Sequence, residues 1–382
     1  MAITGVICEY NPLHLGHKKQ LDIIRAADPE GTIVCLMSGN YVQRGKPAIV
    51  DKSVRAKAAI CAGADLVLEL PVTASLSSAE GFAAEGVRIL SVFCDRLCFG
   101  AETPNPETLM ATAQALLSED FPPTLAKYLD TGLSFPAARQ AALERMGLSA
   151  DTLSHPNDIL ATEYCKAILQ QNSPMKAMPI LRKGSYHDTV ADEENPSATS
   201  VRALMLQSGA WLDYVPETAK HCFADSPLHA LQFGERAVLS RLRTMTDEEF
   251  EALPYGSEGL WRKLMHNCRE FATLEQILTA TKSKRYTRSR LDRMVMCAFL
   301  GISREMLTQP APYARVLALN DRGRAALKLA RAGGSFPNAG EAIDHPFWAL
   351  EKRTGDLYGL FCAEGPLPPG MEEKRRVFFP KE

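Results

Sequence analysis

The sequence predicts an α/β fold: a doubly wound parallel sheet with helices on both faces, joined to a mainly helical C-terminal part. Two observations carry this. Short apolar, β-branched runs alternate with helical patterns through the first half of the chain, the βαβα signature of a parallel sheet. After Arg202 no strand series follows, and the spacing becomes helical.

Taken in order, Ile3 to Cys8 reads as a strand leading into a helix after His17. Thr32 to Met37 is a second strand, ended by Ser38-Gly39-Asn40. Lys52 to Ala62 is helical and precedes the strand Ala64 to Leu70, and helical Ala79 to Leu90 precedes the strand Arg96 to Gly100. From about Pro104 to Gln171 the pattern is helical, and Met178 to Leu181 reads as one further strand. Beyond it, Ala203 to Gln207, Glu235 to Thr244, Leu260 to Leu278, Arg288 to Phe299 and Arg322 to Ala332 have helical composition. The stretch Ala191 to Ser200, rich in Asp, Glu, Asn, Pro and Ser, is the expected junction between a catalytic part (1–202) and a helical part (203–382).

At 382 residues the chain exceeds the usual size of one core, so two domains are expected. Its 46% apolar and 23% charged residues are those of a globular protein, and a net charge of −2 excludes a globally basic nucleic-acid coat while permitting a local basic patch. Ten cysteines are scattered through apolar stretches without a CxxC pair and read as buried, reduced thiols. Cys94 and Cys98, the closest pair, lack nearby histidines and read as packing beside a strand rather than as a zinc site. No leader pattern or membrane span is recognisable, so a cytoplasmic protein is expected.

The chemistry concentrates in Glu9-Tyr10-Asn11-Pro12-Leu13-His14-Leu15-Gly16-His17, directly after the first strand. Two histidines where a parallel strand gives way to a helix gather two imidazoles and free backbone N–H groups around one point, which suits an anionic phosphate. Attack on the α-phosphate of ATP builds charge on the phosphoryl oxygens and the departing pyrophosphate, and fixed donors there lower the barrier. Gly16 leaves room for a ribose or adenine against the backbone. The competing reading is a capping or partly buried histidine; the strand before and helix after the string favour the nucleotide site.

Weaker strings fit the same site. Phe99-Gly100-Ala101-Glu102 ends a strand with a glycine that a base could approach, or is a simple turn. Pro156-Asn157-Asp158 reads equally as a helix start with an amide cap, and Arg182 pairs with a phosphate or a surface carboxylate. Ser197-Ala198-Thr199-Ser200-Val201-Arg202 resembles the ISSTxIR signature of nucleotidylyltransferases, departing from it at Pro196 and Ala198; the alternative is an N-cap serine followed by a helical arginine.

HLGH and SATSVR together resemble the HxGH nucleotidylyltransferase superfamily, whose Rossmann-like sheet agrees with the fold predicted above. The strings CEYNPLHLGH, MSGNYVQRGKPAIVDK, GADLVLELP, CFGAE, PNDILATEYCKAI, SATSVRALM and KRYTRSRLDR are similar to the bacterial tRNA(Met) cytidine acetate ligase family across nearly the whole length. The resemblance implies ATP-dependent activation of acetate as acetyl-adenylate, then acetyl transfer to N4 of the wobble cytidine of elongator tRNA(Met). It implies an ATP site made of Ile7, Cys8, Glu9, Tyr10, Asn11, Pro12, Leu13, His14, Leu15, Gly16, His17, Lys18, Lys19 and Gln20 with Gly100, Asn157 and Arg182, in which His14 and His17 stabilise the transition state. Ser197, Thr199 and Arg202 would hold the β and γ phosphates, with Mg2+ accompanying the nucleotide. No motif marks the acetate pocket, although the loop from Ser38 to Arg44 lies at the right sheet edge.

From Lys282 to Arg293, Lys282, Lys284, Arg285, Arg288, Arg290 and Arg293 stand against the single acid Asp292, with Tyr286 interleaved. By itself such a run is a solvated helix face; with the resemblance it is an expected tRNA backbone contact. Two other functions remain open to the sequence. One is a small-molecule adenylyltransferase of the same superfamily, which leaves the helical half unexplained. The other is a tRNA-binding protein without catalysis, against which both histidines and the late Ser/Thr/Arg motif speak.

Overall fold

The computed structural model describes residues 2–133, 135–149, 153–182, 196–207, 209–283 and 286–380. Five strands and their helices alternate: β1 (Ile3–Cys8), α1 (Leu15–Ala27), β2 (Thr32–Ser38), α2 (Lys52–Cys61), β3 (Leu66–Leu70), α3 (Ala79–Leu90), β4 (Arg96–Ala101), α4 (Pro156–Gln170) and β5 (Lys176–Leu181). Helices Pro106–Leu117, Phe121–Asp130 and Phe135–Arg145 lie between β4 and α4. After α5 (Ala198–Leu206) and α6 (Glu217–Lys220) the chain becomes helical around α7 (Arg288–Leu300), then supplies β6 (Val316–Leu319), α8 (Asp321–Gly333) and α9 (Pro346–Tyr358).

The sheet order is β5-β4-β1-β2-β3-β6, parallel throughout except for β6, which pairs antiparallel with β3. Alternation along each strand sorts the core into two layers. Ile3, Ile7, Val34, Leu36, Leu66, Leu68, Leu97 and Phe99 meet α3, α4 and α8; Val6, Cys8, Ile33, Cys35, Met37 and Val67 meet α1, α2 and α5. The predicted doubly wound fold is therefore present. The strand order reverses between β1 and β4, and ligands of such sheets sit beyond the carboxyl ends of the strands at that point.

One expectation is overturned. Residues beyond Arg202 do contribute a strand: Val316-Leu317-Ala318-Leu319, wholly buried, closes the sheet edge. Four residues between Arg315 and Asn320 are too short to show a period. The predicted helix Leu260 to Leu278 is two helices, Leu260–Glu270 and Leu274–Thr281, because the Thr273 hydroxyl and the Gln276 side chain form a reciprocal capping box between them. Residues 191–195 of the expected junction lie outside the described residues. No described helix is long and apolar enough to cross a membrane.

The helical part has its own core, through which α7 runs with every residue from Leu291 to Leu300 buried. It grips the sheet through the loop that follows β2. That loop folds back as a short hairpin, Tyr41–Val42 against Lys46–Pro47, and Gly45 at its tip has φ +71, with its Cα so close to α7 that a Cβ would meet the Arg293 nitrogen at 2.4 Å. A side chain at that position is excluded twice, by φ and by space. The Tyr41 and Tyr358 hydroxyls donate to Thr354 O (3.1 Å) and Ala48 O (2.9 Å) across the same seam.

Beside it lies a buried charge network. Lys52 Nζ contacts both oxygens of Glu69 (2.7 and 2.8 Å) and Glu372 Oε2 (2.9 Å), and Arg375 grips Asp51 with two bonds of 2.7 and 2.8 Å. Burial pushes Asp51 and Glu372 up, but Arg375 for the first and Lys52 for the second outweigh it, and both carboxyls are held below their ordinary range. Removing one partner strands its neighbours without solvent. Lys52→Met leaves Glu69 and Glu372 facing each other and lowers unfolding stability by about 3–5 kcal/mol, read from the shift of the urea midpoint.

Candidate active site

β1 ends at Cys8, and the chain turns through Glu9 to Leu13 before α1 begins at Leu15. His14 is the N-cap, with extended φ −139 and ψ 174. Its Nδ1 accepts the Gly16 N–H at 3.1 Å, and His17 Nδ1 accepts the His14 N–H at 3.3 Å, a capping box built from two imidazoles. The rings stack obliquely, centroids 3.8 Å apart and planes 30° apart.

A ring nitrogen that accepts a hydrogen bond carries no proton, so both histidines are fixed as Nε2–H tautomers. His14 is only 2% exposed, and its Nε2 is buried without a partner among the described residues. Burial, then Arg182 and Arg202, lower the His14 pKa from 6.5 to about 3. Burial, His14 and Arg182 lower His17 well below its ordinary value. The result is a pair of neutral donors, one of them held in a dry place with nothing to donate to. Such a group costs about 1–3 kcal/mol until an acceptor arrives.

The predicted residues gather around this point from four other elements, β4, α4, β5 and α5. Arg182, just past β5, donates through Nη1 to Asn157 Oδ1 at 2.9 Å, and its aliphatic stem lies over Gly100, where an added Cβ would meet Arg182 Cβ at 3.5 Å. Asn157 Nδ2 donates to Glu102 Oε1 at 2.6 Å. Glu102 also accepts the Asp158 N–H at 2.9 Å, while Asp158 Oδ1 accepts the Glu102 and Thr103 N–H groups at 2.8 and 3.0 Å. This reciprocal clamp locks the start of α4 to the end of β4. Neither acid stands out in the sequence as half of a clamp, since the two are 56 residues apart. On the remaining side, Arg202 of α5 donates to Asn11 O at 2.7 Å and to Thr199 Oγ1 at 3.2 Å. Ser197 is the α5 N-cap, its Oγ accepting the Ser200 N–H at 3.0 Å.

Within 7–20 several side chains face the protein rather than the rim. Ile7, Cys8, Tyr10 and Leu13 belong to the two core layers, Tyr10 touching Cys35 Sγ at 3.4 Å. Asn11 Oδ1 accepts the Ile49 N–H at 2.7 Å, Glu9 Oε1 accepts the Gln43 N–H at 2.8 Å, and Gln20 Nε2 reaches Cys98 O at 3.4 Å. Lys18 pairs with Asp22. Pro12 is buried, Leu15 half-buried and Lys19 exposed. These residues shape the turn, and what they offer a ligand is mainly backbone. Gly16 has a reason beyond the one expected from sequence: a Cβ there would meet His14 Cε1 at 3.0 Å and Nδ1 at 3.1 Å, so glycine lets the ring fold over the helix start. Ser38, at the end of β2, is a second rim residue whose buried Oγ has no partner among the described residues.

Several members of the basic run have partners within the protein. Both oxygens of Glu275 accept from Arg288 at 2.7 Å, with Asp292 at 3.1 Å, and this pairing brings Glu275 down to about 2. Arg290 donates to Tyr255 O (3.1 and 2.9 Å) and Ser257 Oγ (2.9 Å) and lies over the Tyr286 ring. Arg293 is 8% exposed, stacked on Tyr255 and donating to Gln43 O at 3.4 Å. Arg288 and Arg290 are thus paired at the surface of the helical part, and Arg293 is buried against the loop that follows β2. The Tyr286 hydroxyl donates to Glu258 at 3.0 Å, Lys282 is exposed, and Lys284 and Arg285 lie outside the described residues.

The neutral state of the histidines has a measurable consequence. Below pH 6.5 the unfolded chain takes up protons at His14 that the folded chain refuses until about pH 3, so stability from this group is complete above 6.5 and is lost as the pH falls. Unfolding free energy therefore declines between pH 6.5 and 4.5, and His14→Gln makes that decline shallower in denaturant titrations run across the same range.

Comparison with known proteins places this geometry. The family model described as HIGH Nucleotidyl Transferase matches residues 1–361. A tRNA(Met) cytidine acetate ligase of Clostridium acetobutylicum is 34% identical over 373 residues, covering 92% of each chain, and one of Clostridium novyi is 36% identical over 356 residues, covering 88% of this chain and 89% of the relative. Among solved structures, apo TmcAL of Thermotoga maritima superposes with a TM-score of 0.90 at 28% identity, over 99% of this chain and 100% of that one. The same protein bound with alpha-thio ATP gives 0.87 at 28% identity, over the whole of both chains. The chain belongs to the HIGH nucleotidyl transferase family and, within it, to the tRNA(Met) cytidine acetate ligases.

Proposed function

We propose that this chain uses ATP to activate acetate and acetylates N4 of the wobble cytidine of elongator tRNA(Met). The observation that carries the reading is the His14 Nε2 donor, buried without a partner among the described residues at the carboxyl edge of a parallel sheet, within the influence of the Arg182 and Arg202 guanidiniums. An oxygen of acetate attacks the α-phosphorus and pyrophosphate leaves. His14 and His17 donate Nε2–H bonds to the phosphoryl oxygens where charge grows, and Arg182 and Arg202 balance the polyphosphate. Gly100, Asn157, Ser197 and Thr199 keep those arginines and the rim in place, and Mg2+ accompanies the polyphosphate rather than occupying a protein cage. The mixed anhydride then offers a stable phosphate leaving group. The cytidine N4 attacks the acyl carbon, AMP departs, and N4 loses a proton.

Acetate belongs at the loop from Ser38, where a buried hydroxyl lacks a partner among the described residues. The part beyond residue 202 is assigned to the tRNA. Since Arg288, Arg290 and Arg293 are engaged within the protein, the backbone contacts fall to Lys282, Lys284 and Arg285, with Tyr286 beside them.

Incubation with ATP, labelled acetate and total tRNA, followed by digestion, yields N4-acetylcytidine; label absent from every tRNA despite ATP consumption sinks the transfer step. His14→Asn retains a capping acceptor for the Gly16 N–H, but its shorter amide leaves no donor at the position of Nε2. It lowers acetate-dependent pyrophosphate release by about 10²–10³-fold with the unfolding transition kept. Replacing Lys282, Lys284 and Arg285 together with alanine weakens tRNA binding and flattens its salt dependence by about two to three units of slope. Acetate-dependent ATP consumption is unchanged. Retained affinity in a filter-binding salt series contradicts the assignment.

A further inference from the structure

Far along the chain from the histidines, one more group of reactive side chains converges. Cys61, the last residue of α2, meets His221 and Cys222, which follow α6, and the three ligand atoms lie within 4.8 Å of one another. Cys222 Sγ is 3.8 Å from Cys61 Sγ and 3.5 Å from His221 Nε2, and Cys61 Sγ is 4.0 Å from the same nitrogen.

These separations discriminate between chemistries. A disulfide requires sulfurs about 2.05 Å apart, roughly half of what is found. A tetrahedral zinc ion with bonds of about 2.3 Å to sulfur and about 2.0–2.1 Å to imidazole nitrogen spaces its ligands about 3.8 Å (S to S) and about 3.5 Å (S to N) apart. Two of the three observed distances coincide with those values, and the third differs by about half an ångström, within the reach of a rotation of the exposed His221 ring. The triangle has one buried corner, Cys222, one intermediate, Cys61, and one exposed, His221, so a fourth position is open toward solvent.

We propose that Cys61, His221 Nε2 and Cys222 form a three-ligand zinc site whose fourth position is taken by water. Two thiolates and an imidazole favour this borderline-soft ion over magnesium or calcium. Zinc binds cysteine as thiolate, so occupancy would release the protons of both sulfurs. Occupancy joins α2, whose other end carries Asp51, Lys52 and Arg55, to the segment that leaves α5. The ion is a clip between two elements of the catalytic layer and takes no part in the reaction, so the site stands or falls independently of the proposed activity.

The test uses the full-length protein, reduced and freed of metal by chelation. Titration with Co2+ gives a thiolate-to-cobalt charge-transfer band in the near ultraviolet and tetrahedral visible bands that saturate at one equivalent and are displaced by Zn2+. Zn2+ raises the thermal midpoint with a concentration dependence that follows ligand linkage. Cys61→Ser, at the half-exposed position, and Cys61→Ser/Cys222→Ser abolish both the band and the shift, and His221→Ala weakens zinc at least tenfold. The proposal is overturned by the wild-type protein giving no thiolate band, by a band that survives in the double serine variant, or by a Cys61–Cys222 disulfide in protein kept under reducing conditions.

Discussion

The carboxyl edge of the sheet is held together by a single buried guanidinium. Arg55 is 0% exposed, and its three nitrogens donate to four backbone carbonyls: Val50 O at 2.9 Å, Glu9 O at 2.6 Å, Ser38 O at 3.0 Å, and Gly39 O. Glu9 and Ser38 stand at the ends of β1 and β2, neighbouring parallel strands, and β1 borders the point where the sheet order reverses. Parallel strands that end side by side leave carbonyls without ladder partners, and a planar five-donor group is suited to collecting several at once. The turn that aims His14 is therefore anchored by a residue of α2 that bears no obvious relation to it in the sequence. Burying that charge is costly, and what it secures is geometry at the rim rather than net stability.

The same rim is wired to the helical part. The loop leaving β2 is fixed at its start by Arg55, along its length by the Gln43–Glu9 bond, and at its tip by Gly45 against the backbone of α7. Asp51 and Lys52, at the start of α2, are neutralised by Arg375, Glu69 and Glu372, so the C-terminal segment closes over the same place. β6 and Phe378, which exchanges backbone bonds with Leu317 and Leu319, continue that closure along the sheet edge. The chain beyond residue 202 supplies the core around α7 and, through β6 and α8, part of the sheet's own layers, and sheet, hairpin and α7 share backbone contacts close enough to exclude a methyl group.

What the sequence made legible was local, and what it hid was long-range. The strands β1 to β4 are apolar runs bounded by turn residues, and HLGH is a strand-to-helix signal contained within four positions, so both could be read directly. β6 is too short for a period and is recognisable only through its pairing with β3. Arg55 lies in a helical pattern where a solvated face is the ordinary reading, and Glu102 and Asp158 become a clamp only once β4 and α4 are adjacent. The intramolecular partners of the basic run were hidden for the same reason, because Glu275, Tyr255 and Gln43, which pair with its arginines, are distant in sequence. Cys61 and Cys222 are separated by 161 residues, so no spacing rule could have joined them.

The division of labour between the imidazoles and the guanidiniums follows from where the charges are. Arg182 and Arg202 carry permanent positive charge beside a buried ring, and adding a proton to His14 would place a third cation in the same dry space, so the ring stays neutral. A neutral donor is inexpensive to bury, is aimed by the bond its other nitrogen accepts, and needs no reorganisation when a phosphoryl oxygen arrives. In the proposed reaction a polyphosphate would alter the balance, because its negative charge offsets the guanidiniums and makes a proton on His14 less unfavourable. The Gly16 N–H opposes a second proton, since a protonated Nδ1 could no longer accept that bond. Between these two effects the ring would remain a donor through Nε2 in the proposed reaction, while negative charge accumulates at the α-phosphate. The capping box keeps that nitrogen pointed at one place throughout, which is why both histidines, and the glycine between them, are needed in a single turn of helix.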